Sequence, residues 1–153
     1  MTAWRDGNVA ASSGGELSAK SGIKTMVNGD TIFTITGELK ITGICSRCVT
    51  ANNATETLLK YIYNPTGLIA TQLEANTSTL ASAITGTLIS LIDTLGTNQP
   101  IIYPNGVGVE MTGAPIIVPA GALKLWVSAS TTGTWQHYIT YVPLEPGATI
   151  VGV

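Results

Sequence analysis

Leu39, Ile41 and, after a possible bulge at Gly43, Ile44 alternate with polar residues. Because successive side chains of a β-strand point to opposite faces of a sheet, this period of two predicts a strand with one buried and one exposed face. Two further strands are predicted near the C-terminus, at residues 122–128 and 134–142, and the turn-forming segment 130–133 separates them. We interpret these two stretches as neighbouring strands of a hairpin.

Other short segments follow the same pattern and are bounded by turn residues. A strand is predicted at 31–36, after Asn28-Gly29-Asp30, and another at 38–45 with a bulge at Gly43. Asn64-Pro65-Thr66-Gly67 has proline and glycine at the positions that a tight turn favours, which predicts a hairpin between 57–63 and 68–73. Further strands are predicted at 107–111, 116–118 and 148–153. Their number and spacing predict an all-β fold, an antiparallel β-sandwich or a jelly-roll-like domain.

Residues 79–95 allow two interpretations. Leucine and isoleucine recur there at helical spacing, yet Gly86 and four threonines interrupt the segment. Glycine and β-branched residues weaken a helix, so we favour strand over helix.

The length of 153 residues fits one domain. Residues 1–25 are rich in glycine, serine and alanine and are interpreted as an extended N-terminal arm, and residues 26–153 as a single β-sandwich domain. Trp4 and Arg5 are the candidate interface residues, because they are large side chains in a segment of small ones. We expect this arm to contact a neighbouring subunit.

Charged residues make up only 10% of the chain, against about 25% in an ordinary soluble protein. The net charge of −2 offers no basic surface for a phosphate backbone, so no nucleic-acid partner is expected. No apolar run is long enough for a membrane span, and the N-terminus lacks a secretory signal, which predicts synthesis in the cytoplasm. The low charge indicates surfaces covered by neighbouring subunits, although hydroxyl side chains could also keep a monomer soluble.

Cys45-Ser46-Arg47-Cys48 is a CxxC motif and leaves three interpretations open. The cysteines could be structural thiols at a turn, a local disulfide, or a metal or redox pair. His137 is the single histidine and lies in the predicted strand 134–142, where a hydrogen-bonded structural role is expected. No catalytic, cofactor-binding or metal-binding residues are predicted, and no cofactor is expected.

Aromatic residues of the C-terminal strands, namely Trp126, Trp135, Tyr138 and Tyr141, also have two interpretations. They could line a sugar-binding platform or pack in the core as cross-strand pairs. An exposed coplanar Trp126 and Trp135 would favour sugar binding, and burial of both would favour a structural role.

The segments 119–123, 132–135 and 141–151 resemble the C-terminal part of small structural proteins of tailed bacteriophages. In those proteins a hairpin with glycine, threonine and aromatic residues is followed by a proline-containing turn and a short apolar strand. Residues 28–37 resemble the strand that opens the same kind of domain. The Cys45–Cys48 motif is not part of the resemblance.

This resemblance implies a β-sandwich or jelly-roll subunit of the virion, commonly a head decoration (cement) protein on the capsid surface. The implied partners are the major capsid protein and copies of the chain itself, often as a homotrimer, and the family has no catalytic residues to transfer. A tail or neck subunit is the alternative within this class, and a carbohydrate-binding β-sandwich module is the alternative outside it. An enzyme would require a pocket with convergent polar groups around His137.

Overall fold

A computed structural model describes residues 15–73, 76–91, 101–103 and 116–153, and within these ranges it contains strands and no helix. The eleven strands are β1 (Leu17–Thr25), β2 (Thr31–Thr36), β3 (Leu39–Thr50), β4 (Leu59–Pro65), β5 (Thr71–Gln72), β6 (Leu88–Leu91), β7 (Ile101–Tyr103), β8 (Ile116–Val118), β9 (Gly121–Val127), β10 (Thr134–Pro143) and β11 (Thr149–Gly152).

The strands form two antiparallel sheets that pack face to face. Sheet A has six strands in the order β1-β10-β3-β6-β7, with β8 also paired to β3. Sheet B has five strands in the order β11-β2-β9-β4-β5. Strands β3, β4, β9 and β10 alternate between buried and less buried residues, with the buried set facing the opposite sheet. The predicted all-β antiparallel sandwich is therefore confirmed.

The core lies between the sheets and combines aliphatic and aromatic side chains. Its largest fully buried members are Met26, Ile32, Phe33, Leu39, Ile44, Leu59, Tyr61, Leu80, Ile89, Leu123, Leu125 and Trp135. Most come from the inward positions of β2, β3, β4 and β9, so the period-two pattern of the sequence is what places them there.

The predicted hairpin between 122–128 and 134–142 is wrong in its pairing, although both strands exist. β9 pairs with β2 and β4 in sheet B, whereas β10 pairs with β1 and β3 in sheet A. The connection between β9 and β10 therefore crosses from one sheet to the other. Alternation alone predicts which face of a strand is buried, and it carries no information about which strand lies beside it.

The hairpin predicted around Asn64-Pro65-Thr66-Gly67 is confirmed. β4 and β5 pair in antiparallel fashion across this turn, with Ile62 opposite Gln72, although β5 has only two residues. The bulge expected near Gly43 is present as well, since the register between β3 and β10 shifts between the pairs Thr140/Gly43 and Tyr141/Ile41.

The N-terminal segment differs from the predicted arm of residues 1–25. Residues 17–25 form β1, which pairs with β10 along sheet A, and residues 1–14 lie outside the described residues. The small residues of β1 and β11 allow the backbones of these two strands to approach each other closely. The Gly22 N–H donates to the Val153 carbonyl at 3.1 Å, and a Cβ on Gly152 would overlap the Lys20 carbonyl oxygen. These contacts form a seam between β1 and β11 that joins one edge of sheet A to one edge of sheet B.

Residues 79–95 are strand only in part. β6 covers Leu88–Leu91, residues 79–87 form turns, and residues 92–95 lie outside the described residues, as does the strand predicted at 107–111. Gly86 has a φ of +91°, a conformation that interrupts both a helix and a strand. These turns are stabilised by hydrogen bonds to residues outside the segment, because Thr57 and Asn52 bind its backbone.

Candidate functional site

Three polar side chains meet between the two sheets in what we call the polar bridge: Ser46, Tyr61 and His137. The Ser46 hydroxyl lies 2.6 Å from His137 Nδ1 and 2.5 Å from the Tyr61 hydroxyl. Ser46 and His137 are direct neighbours on β3 and β10, and Tyr61 reaches them from β4 of sheet B. The polar bridge therefore connects the sheets by hydrogen bonds through the apolar core.

His137 is held neutral in this environment. Its side chain is fully buried, and this burial, together with the positive charge of Lys24, lowers its pKa to about 3. The backbone N–H of His137 donates to the Ser21 hydroxyl oxygen at 3.0 Å, while Nε2 has no hydrogen-bond partner within the described part of the chain. One nitrogen of a neutral imidazole carries the proton and the other accepts, so Nε2 is an unsatisfied buried group in either tautomer.

A serine beside a histidine is the arrangement of a nucleophile and its general base, but this pair cannot receive a substrate. Ser46, Tyr61 and His137 all have an exposed fraction of 0%. The base also lacks an orienting carboxylate, because its ring contacts Ser46 and no acidic side chain of the described residues. The polar bridge is placed to fix the packing of the two sheets rather than to act on a ligand.

The two cysteines lie on opposite faces of one strand. Both belong to β3, whereas one interpretation of the sequence placed them at a turn. Cys48 is buried toward the core, and Cys45 is half-buried on the outer face. Burial raises the pKa of both thiols, and Cys48 donates to the Thr50 carbonyl at 3.2 Å. Residues three apart on a strand point in opposite directions, so these two thiols are placed neither for a mutual disulfide nor for one metal ion.

The four aromatic residues proposed as a sugar platform do not come together. Trp135 and Tyr141 point into the core, whereas Tyr138 lies on the outer face of sheet A and Trp126 on the outer face of sheet B. The Trp126 ring is also covered, since Lys60 Nζ lies 4.4 Å from its centroid. The geometry therefore does not support the coplanar exposed pair that sugar binding would use.

Charge is segregated on the surface. The described lysines and arginines all lie on strands, namely Lys20, Lys24, Lys40, Arg47, Lys60 and Lys124. The described carboxylates all lie in loops or at strand ends, namely Glu16, Asp30, Glu38, Glu56 and Glu145. Only Lys24 and Asp30 form an ion pair among these residues, at 3.5 Å. The sequence predicted a scarcity of charge but not this separation, which appears only when the strands are assembled.

The outer face of sheet A carries three of these cations, and we call it the cationic face: Lys20, Lys40 and Arg47. The register places them opposite Tyr138, Val142 and Gln136 of β10, so all three point away from the core. None of them forms an ion pair or a side-chain hydrogen bond with a described residue.

Two large apolar side chains, Leu68 and Ile69, are exposed to solvent at one end of the sandwich, and we call them the apolar tip. Their exposed fractions are 69% and 90%, the largest among the large apolar residues of the described chain. They follow the turn at the end of β4, next to an open groove of about 580 Å³ on the outer face of sheet B. Burying both side chains against a partner would contribute about 3 to 6 kcal/mol.

The predicted interface residues Trp4 and Arg5 lie outside the described residues. The apolar tip was not singled out in the sequence, where residues 68–73 were interpreted as an ordinary strand. The signal available there was the pair Leu68-Ile69 directly after a turn, a position where polar residues are more usual.

Within the described ranges, no group of three histidine, cysteine or acidic side chains is close enough to hold a metal ion. No helix of these residues has the length and hydropathy of a membrane span.

Comparison with known proteins identifies no relative. No protein-family model matches the chain, and neither the search of curated proteins nor that of solved structures finds a match. The functional argument therefore depends on the residues and their geometry.

Proposed function

We propose that this chain is a non-enzymatic structural protein of a tailed-phage virion, a capsid decoration (cement) protein at the surface of the head. It binds the major capsid protein and neighbouring copies of itself, as a homotrimer. The observation that carries the proposal is the apolar tip, because two adjacent, exposed, large apolar side chains on a water-facing turn are characteristic of a protein contact.

The interior of the sandwich supports a structural role. Its most reactive residue types, a serine and a histidine in contact, are sealed in the core and hydrogen-bonded across the sheets. This arrangement strengthens the packing of a β-sandwich and leaves the outer faces to make contacts. The low charge of the chain supports the same proposal, because covering an ionised group at an interface costs free energy.

The resemblance of residues 119–151 to phage structural proteins supplies the setting of the proposal. A tail or neck subunit is the alternative location, since the same fold and the same apolar tip would serve there. Sugar binding receives no comparable support, because Trp135 is buried and Trp126 is covered by Lys60.

Location in the virion tests the proposal directly. Purified particles of the phage that encodes the chain should contain it in many copies, and immunogold labelling should place it on the head. Labelling confined to the tail or neck would replace the decoration role with the alternative location. Absence of the protein from purified particles would overturn the proposal.

Co-sedimentation with shells that lack the protein tests the contact itself. Wild-type protein should bind to saturation, and the Leu68→Ser/Ile69→Ser variant should bind at least about tenfold more weakly. An Ile84→Ser/Val151→Ser variant is the matched control, because it replaces two exposed apolar side chains, 47% and 57% exposed, at other places. Equal loss in both variants, or no binding by the wild type, would count against this function.

A further inference from the structure

We propose that His137 and β1 form an acid-sensitive switch, in which protonation of the His137 ring releases β1 from β10 while the other strands stay folded. The inference concerns the free chain and goes beyond the proposed function, which involves no change of conformation. Its basis is a buried, incompletely hydrogen-bonded ring beside a strand that places no large apolar side chain in the core.

β1 is an edge strand of sheet A that lacks an apolar anchor. Of its nine residues only Ser21 is buried, and Ala19 alone packs partly against the core, whereas Leu17 and Ile23 are exposed. The strand is therefore held mainly by backbone pairing with β10 and by the hydrogen bond from Gly22 to β11. Detaching such a strand exposes little additional apolar surface, so it costs less free energy than detaching a strand whose side chains fill the core.

His137 lies on β10 directly beside this strand. Its backbone N–H donates to the Ser21 hydroxyl at 3.0 Å, where the register between β1 and β10 shifts between Lys20 and Ile23. The ring presents Nδ1 to Ser46 on β3, so Nε2 points away from β3, and β1 flanks β10 on the side opposite β3. Release of β1 would make β10 the edge of sheet A and open this side of the ring to water.

The surroundings of the ring favour its neutral form. Nε2 has no hydrogen-bond partner among the described residues, and burial together with the positive charge of Lys24 lowers the pKa of His137 to about 3. Asp30 pairs with Lys24 at 3.5 Å and forms no ion pair with the ring. The titratable, charged or hydroxyl-bearing side chains that face the ring from neighbouring strands are Ser21 and Lys24 of β1, Ser46 and Cys48 of β3, and Tyr61 of β4. None of the described carboxylates lies among them.

A charge on the ring acts on β1 in particular. Protonated His137 would carry a second N–H donor and a positive charge without a described acceptor at Nε2, and burying such a group is unfavourable. Lys24, the like charge that acts on the ring, belongs to β1, so repulsion favours the separation of β1 from β10. β3 and β4 meet the ring through Ser46 and Tyr61, which are fully buried, so releasing β1 is the less costly way to hydrate the charge.

The release should follow a defined pH dependence. With β1 detached, the hydrated ring binds a proton with its ordinary pKa of 6.5, whereas the ring under an attached β1 stays neutral. The population of the detached form should therefore increase as the pH falls through 6.5, by about tenfold for each pH unit well below it. Returning the solution to pH 7.0 should restore the attached form, because no covalent bond changes.

Hydrogen exchange followed by mass spectrometry tests the release of β1. Wild-type protein is measured at pH 7.0, 6.0 and 5.5, and each rate is divided by the intrinsic exchange rate at that pH to give the protection. Protection of β1 peptides should fall about eightfold from pH 7.0 to pH 5.5. It should also stay below the protection of β9, a central strand of sheet B that reports unfolding of the whole domain.

Two variants assign the effect to the ring. His137→Gln removes the group that binds the proton, so protection of its β1 peptides should be nearly independent of pH. Ser21→Ala is the matched control, because it removes the hydroxyl that accepts from the His137 N–H and keeps the ring. Its β1 peptides should be less protected at all three pH values and should retain the eightfold change. If His137→Gln does not fold, the wild-type comparison of β1 with β9 decides by itself.

Protection of β1 that does not change with pH would overturn the inference, since β1 would then open without hydrating the ring. Equal protection of β1 and β9 at each pH would overturn it as well, because β1 would then detach only when the whole domain unfolds. Both results would leave the proposed function in place. A pH-dependent β1 in a chain that is absent from virions would overturn the proposed function and leave this inference in place.

Discussion

The indole N–H of Trp135 donates to the side-chain oxygen of Asn52 at 3.0 Å, in a contact that is buried on both sides. The same oxygen accepts from the Thr131 hydroxyl at 3.0 Å, and the Asn52 amide donates to the Leu80 carbonyl at 2.9 Å. One side chain therefore fixes β10, the loop before it and the turns of residues 79–87. Backbone hydrogen bonds support the same segments, from the Asn52 N–H to the Ala83 carbonyl at 2.9 Å and from the Leu80 N–H to the Thr57 carbonyl at 2.8 Å.

Replacing Asn52 with alanine should destabilise the protein by about 2 kcal/mol or more. The change leaves the Trp135 indole N–H and the Thr131 hydroxyl without their acceptor, and each such group costs about 1 to 3 kcal/mol. Urea unfolding followed by tryptophan fluorescence measures the effect. Asn53→Ala is the matched control, because Asn53 is exposed and should change stability by less than about 0.5 kcal/mol. Equal effects of the two substitutions would show that the Asn52 contacts are not formed.

Stability should fall as the solution is acidified below pH 6.5. His137 has a pKa of about 3 in the folded protein and 6.5 as its ordinary value, so between these limits the unfolded chain binds a proton that the folded chain does not. The free energy of unfolding should then decrease by about 1.4 kcal/mol for each pH unit below 6.5. Unfolding curves at pH 7.0, 6.0 and 5.5 measure this slope above the range in which most carboxylates titrate.

A His137→Gln variant provides the control for the pH slope. It removes the only histidine of the chain, so its stability should be nearly constant from pH 7.0 to pH 5.5, even where its absolute stability is lower. A wild-type chain without a slope would mean that His137 is accessible to water or charged in the folded state.

Adding one methyl group to the seam between β1 and β11 should have unequal effects on its two sides. Gly152→Ala should cost about 2 kcal/mol or more, because the new Cβ would overlap the backbone of Lys20 and Ser21. Gly22→Ala should be tolerated, since the nearest atom to its Cβ is the Val153 carbonyl oxygen at 3.5 Å, an ordinary contact distance. Thermal unfolding of the two variants gives the comparison, and a Gly152→Ala protein as stable as the wild type would contradict the close approach of these strands.

The two cysteines should remain reduced and unequal in reactivity. Cys45 is half-buried on the outer face and should be alkylated before Cys48, which is 1% exposed. Both should react slowly at pH 7.5, because burial raises the pKa of each thiol and keeps it protonated. Peptide mass spectrometry after timed iodoacetamide treatment measures the order, with urea-unfolded protein as the reference in which both react together. A disulfide between Cys45 and Cys48 would contradict the strand geometry.

Local patterns predicted the strands well wherever alternation and turn residues coincided. β2 has the predicted bounds, Thr31–Thr36, and β10 differs from its prediction by one residue at its end. Both segments are bounded by strong turn signals, and every second residue within them is buried apart from the adjacent Ile32 and Phe33. These features are local, so they could be identified without knowing the neighbours of a strand.

Other features depend on which strands meet, and the sequence carries no local sign of them. Ser46 and His137 are 91 residues apart and become neighbours only through the pairing of β3 with β10. β1 was interpreted as part of an arm because its serine and glycine residues resemble a linker, whereas those residues allow the close contact with β11. The charge segregation has the same origin, since it arises when distant strands form one face.

The seam between β1 and β11 also bears on how the chain folds. The hydrogen bond from Gly22 to Val153 joins residues at opposite ends of the described chain, and β1 pairs with β10 over a similar separation. Native contacts of such long range slow folding, typically to milliseconds or seconds in all-β domains. During synthesis, the edge of β1 must therefore wait until residues 149–153 have left the ribosome, and this interval is when the chain is most exposed to aggregation.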